Sequence, residues 1–88
     1  MNRRQIVDKM TRVIEQNLNM RLPDHVSESD RLYEDLNIDS IMVLQLVVYL
    51  EEEFSVEVPE AEVDPSVFRT IGSLVTFIEQ LLDARLQV

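Results

Sequence analysis

Ser40 is the residue of this chain whose surroundings best suit it to chemistry. It follows Asp39, a favourable N-cap residue, and precedes the apolar run from Ile41 to Leu50, so its hydroxyl stands where a turn becomes a helix. An enzyme can reach a serine in that place. The positive end of the helix dipole also favours an anionic group there, such as a phosphodiester esterified to the serine. Taken alone, Asp-Ser ahead of an apolar helix is an ordinary capping signal. Ser40 stands out because Ile41 and Met42 put apolar side chains into the first turn that an inward stripe does not need. Only Gln45 and Tyr49 interrupt the run to Leu50, and a helix apolar on more than one face implies a second contact surface.

Other chemistries are poorly supplied. There is no cysteine, hence no disulfide, thiolate metal site or thiol nucleophile. His25, the only histidine, sits beside Pro23 and Asp24 in an expected loop, and Ser40 has no histidine or lysine near it in sequence to activate it. Met10, Met20 and Met42 read as core filler or adaptable surface. Asp35, Asn37 and Asp39 match the first ligand positions of an EF-hand loop. However, Ser40 stands where that loop needs glycine and Leu46 where it needs a bidentate glutamate. No metal site is expected.

The elements that must position Ser40 follow from periodicity and punctuation. Ile6, Met10, Val13, Ile14 and Leu18 recur at helical spacing behind Asn2 as N-cap, which predicts a helix over about 3–18. Residues 19–39 form a long connection, with Leu32, Tyr33 and Leu36 as apolar anchors. A second helix is expected over 40–54, capped by Asp39, with Leu44, Val47, Leu50 and Phe54 inward. Asp64-Pro65 opens a short helix over 65–68. Thr70 caps a last helix over about 71–82, whose stripe is Ile71, Leu74, Val75, Ile78, Leu81 and Leu82. No useful β-alternation appears. The 88 residues make a single all-α domain, a small bundle of three main helices plus a short third one, with a long first loop.

Charge is unevenly spread. The total is −9, yet residues 1–23 carry five bases and two acids, whereas residues 24–64 carry thirteen acids against Arg31 alone. Such a field repels nucleic-acid phosphates and suits basic protein surfaces. The start of the chain lacks the apolar region of a signal peptide, and no apolar run is long enough to span a membrane. A cytoplasmic monomer without membrane or nucleic-acid partners is the expectation.

The stretch Asp35 to Leu50, with Glu51-Glu52-Glu53-Phe54, the Val58-Pro59 turn and Thr70-Ile71-Gly72-Ser73-Leu74, resembles the attachment region of acyl and peptidyl carrier proteins. The likeness covers roughly residues 3–82. It implies the four-helix carrier fold and no catalysis by the chain itself. Ser40 would accept 4′-phosphopantetheine from coenzyme A through a phosphopantetheinyl transferase with magnesium. The arm would carry acyl or aminoacyl cargo as a thioester between a loading ligase and downstream transferases or tailoring enzymes. Asp39 matches the family's acid before the serine and should cap the helix and contact the transferase. Ile41 replaces the usual leucine, and Asn37 a common glycine, a swap that asparagine's tolerance of left-handed backbone allows.

Fatty-acid carriers commonly place acids two and five residues after the serine, where this chain has Met42 and Gln45. That departure implies docking resting more on apolar contact, through Asp39, Ile41, Met42, Gln45, Val48 and Glu51, Glu52 and Glu53. It tilts the expectation toward a secondary-metabolite carrier, for an antibiotic or siderophore, similar to those of petrobactin- or butirosin-type pathways. The alternative is a helix-binding adaptor that uses the apolar face of the second helix, with Ser40 only a cap; an EF-hand-like calcium sensor is a distant third.

Overall fold

The computed structural model describes residues 2–23, 25–59 and 64–86. They form α1 (Arg3–Asn17), α2 (Ser40–Phe54), a 3-10 helix (Pro65–Phe68) and α3 (Ile71–Leu86). The only β-type pairing among them is an isolated bridge between Arg31 and Thr70. α1 packs against both α2 and α3, and the 3-10 helix packs against α3. None of the described helices is long and apolar enough to cross a membrane.

Each start is written locally. Asn2 Oδ1 accepts the Gln5 N–H at 2.8 Å while Gln5 Oε1 accepts the Asn2 N–H at 3.1 Å, a reciprocal capping box for α1. Asp64 accepts the Ser66 N–H at 2.9 Å ahead of Pro65. Thr70 Oγ1 accepts from Ser73 N and Ser73 Oγ from Thr70 N, both at 3.0 Å, so Thr70 caps α3 as its sequence position implies. α2 ends at Ser55, which adopts a left-handed conformation (φ 54°). α3 runs four residues beyond the expected end at Leu82, because no proline or glycine stops it.

The core joins Ile6, Met10, Val13 and Ile14 of α1 to Leu46, Leu50 and Phe54 of α2 and to Ile71, Leu74, Val75 and Ile78 of α3. Leu18, Leu81 and Leu82 pack at its edge. The expected inward stripe of α2 needs correction: Leu44 is 70% exposed and Val47 only half-buried, while Leu46 is fully buried. At about 100° per residue, Leu46 lies only some 40° from Leu50 around the helix, whereas Leu44 lies about 120° away.

The long connection is packed on itself and plugged by Leu22, Leu32, Leu36 and Ile38, all buried. Tyr33, expected as an anchor, is 70% exposed. Residues 31–37 wind almost as a helical turn, with Asp35 N donating to Arg31 O and Asn37 N to Tyr33 O. Leu32 and Leu36 therefore share the inner face and Tyr33 points outward.

The same connection completes α3. Ile71 N donates to Asp30 O (2.9 Å) and Gly72 N to Glu28 O (2.8 Å), so loop carbonyls satisfy the first orphan amides of the helix. Arg3 locks that contact. Its guanidinium pairs with Glu28 and Glu79, donates to Thr76 Oγ1 at 3.0 Å and reaches Gly72 O at 3.2 Å.

Candidate functional site at the start of α2

The approach to α2 is a set of short ties over buried leucines. Ile38 N donates to Leu32 O at 2.8 Å, and Leu36 N to Arg31 O at 3.2 Å. Asn37 takes φ 58°, the left-handed conformation that asparagine tolerates better than most side chains. Arg31 closes the turn: its amide donates to Asp35 Oδ2 at 2.7 Å, its Nε lies 3.3 Å from the same oxygen, and its guanidinium also pairs with Glu34. The backbone N–H of Arg31 first, and its guanidinium second, hold the Asp35 carboxyl below its ordinary range.

Asp39 then caps α2. Its backbone is extended, its Oδ1 accepts the Met42 N–H at 2.9 Å, and its carbonyl accepts the Val43 N–H at 2.9 Å. Ser40 is the first helical residue and is exposed. The amides of Ser40 and Ile41 donate to no described residue. An accessible hydroxyl next to two open amide donors at a helix N-terminus fits a phosphate ester. Asp35 and Asp39, with their carboxylates turned to Arg31 and Met42, do not converge on a cation. Among the described residues no group of three or more His, Cys, Asp or Glu side chains could hold a metal ion.

Beyond Ser40, α2 presents Ile41 (69% exposed), Leu44 (70%) and Val48 (51%) along one outward row. Gln45 is also exposed, whereas Met42 is half-buried against the core. Of the three glutamates, Glu51 turns back to accept the Val58 N–H at 2.9 Å, Glu53 lies 3.8 Å from Lys9 Nζ, and Glu52 is exposed. Leu44 is the member of this face that the sequence reading assigned to the core. The angular arithmetic that places Leu46 inward would have identified it. Beside the row, an open groove of about 1260 Å³ runs between α2 and α3, with Val43, Val47, Val48, Phe68, Leu81 and Ala84 in its walls and Glu51 and Glu57 among its lining residues.

Comparison with known proteins agrees with this geometry. Residues 8–78 match the family model described as a phosphopantetheine attachment site. The acyl carrier protein AsbD of Bacillus anthracis is 41% identical over 81 residues, spanning 92% of this chain and 89% of that protein. An acyl carrier protein of Wolinella succinogenes is 38% identical over 74 residues, spanning 84% and 93%. Among solved structures, an acyl carrier protein from Thermotoga maritima matches with a TM-score of 0.82 at 25% identity, covering 97% of this chain and 95% of that one.

The chain belongs to the phosphopantetheine-binding carrier proteins. It is a carrier, not an enzyme: it holds a biosynthetic intermediate on a covalent 4′-phosphopantetheine arm, which supplies the thiol that a sequence without cysteine lacks. Membership also implies work with a phosphopantetheinyl transferase and with biosynthetic enzymes.

Proposed function

We propose that Ser40 carries the arm, and that the chain takes acyl or aminoacyl cargo from a loading ligase and presents it to transferases or tailoring enzymes of a secondary-metabolite pathway in the cytoplasm, working as a monomer. The observation that carries the site is the exposed Ser40 hydroxyl beside the open amides of Ser40 and Ile41. Asp39 has its side chain committed to the cap, so its contact with the transferase is through the outer edge of the carboxylate.

The partner face consists of Asp39, Ile41, Gln45, Val48 and Glu52, with Leu44 added to it. Met42, Glu51 and Glu53 contribute less because their side chains already have partners within the fold. The antibiotic or siderophore setting rests on this apolar character, since Met42 and Gln45 occupy positions where fatty-acid carriers commonly have acids. Intact mass after incubation with coenzyme A, magnesium and a broad-specificity phosphopantetheinyl transferase tests the site. One phosphopantetheine is expected on the parent and none on Ser40→Ala; equal loading of both would overturn it.

A further inference from the structure

The arm brings a negative phosphodiester to the most acidic part of the chain, where thirteen carboxylates between residues 24 and 64 face a single base, Arg31. Arg31 is committed elsewhere, to Glu34 and Asp35. The cation that borders the turn before Ser40 comes from outside this segment. Arg21 lines a shallow cleft of about 480 Å³ together with Leu22, Pro23, Asp35, Leu36 and Asn37. Asn37 precedes Ser40 by three residues, at most about 11 Å of extended chain.

The backbone of Arg21 is anchored on both sides. Asn19 turns the chain at φ 53°, Leu22 is buried, and Pro23 fixes the next φ. Its guanidinium, in contrast, is exposed and makes no ion pair with a described carboxylate. Asp35 shares the cleft but makes no ion pair with Arg21; its Oδ2 takes both the amide and the Nε of Arg31. A fixed backbone carrying a fork-shaped cation that pairs with no described carboxylate, beside the turn that leads to Ser40, suits bidentate phosphate binding.

We propose that Arg21 binds the phosphodiester of the arm and holds the arm's first segment against the Asn37–Ser40 turn, opposite the open amides of Ser40 and Ile41. Arg21 is a positioning residue, and its role rests on attachment at Ser40. The test uses the chain loaded with a ¹⁵N-labelled arm, after intact mass has verified loading of the parent, Arg21→Gln and Arg21→Lys. In the parent, the Arg21 Nε–H resonance should shift between unloaded and loaded protein. The arm amide nearest the phosphate should show a higher heteronuclear NOE than in Arg21→Gln, with Arg21→Lys between them, and the ³¹P resonance should move in Arg21→Gln.

An unchanged Arg21 resonance, or equal arm dynamics in parent and Arg21→Gln, would overturn the proposal while leaving Ser40 as the carrier serine. Slower loading of Arg21→Gln with unaltered arm spectra would likewise overturn it, and would assign Arg21 to the transferase instead. A parent that gains no mass overturns both readings.

Discussion

At the residue scale, Asp39 and Asn37 do different work within three positions. Asp39 supplies the oxygen that satisfies the Met42 amide, a cap of the kind that contributes about 1 kcal/mol. Asp39→Ala should lower the unfolding free energy by that amount, read as a lower urea midpoint at an unchanged slope. Asn37 holds a left-handed turn, and a β-branched side chain at φ 58° is strained. Asn37→Val should cost roughly 1–2 kcal/mol by chemical denaturation, and it should also slow arm loading because Ser40 is carried on that turn. Full stability in Asn37→Val would mean that the turn relaxes to another conformation at no cost.

At the scale of the element, α2 has two faces with opposite demands. Leu46 is fully buried and Leu44 is 70% exposed. Leu46→Ala should destabilise by about 2–5 kcal/mol, whereas Leu44→Ala should stay within about 0.5 kcal/mol of the parent. Equal losses in thermal melts would contradict the orientation of the helix. α3 depends on a close approach: a Cβ on Gly72 would stand 3.0 Å from Glu28 O, which is held by the Gly72 amide on one side and by the Arg3–Glu28 pair on the other. The overpacking, about 1–3 kcal/mol, outweighs the gain of up to about 1 kcal/mol in helix propensity. Gly72→Ala should therefore lower the melting temperature.

At the scale of the whole molecule, charge sets the response to solution conditions. A net charge of −9, concentrated between residues 24 and 64, makes the compact state repel itself, so added salt or divalent cations should raise the melting temperature. Acid acts in the opposite direction on particular groups. Glu28 is held below its ordinary range chiefly by its hydrogen bond to the Arg3 side chain, and Asp64 by the Ser66 backbone N–H. A carboxyl whose folded pKa is depressed stabilises the fold above its unfolded pKa, and that contribution disappears as pH falls through the folded value. Glu28→Gln should accordingly melt below the parent at neutral pH, with the difference closing once the pH is low enough to protonate Glu28 in the folded chain.

The sequence by itself determined where the helices begin and what stands at the start of α2. Asn2, Asp39, Asp64-Pro65 and Thr70 act on amides two or three residues away, and a cap of that kind is legible in a linear text. The Asp39-Ser40 junction and its family resemblance were legible for the same reason. Tertiary structure alone decided which way α2 faces, that Tyr33 points outward, and that residues 28–32 complete the first turn of α3. It also decided that Arg3 meets Glu79 across 76 positions of chain and that Arg21 borders the turn before Ser40. Those outcomes depend on which distant surfaces compete for burial and for hydrogen bonds, and local periodicity carries no record of that competition.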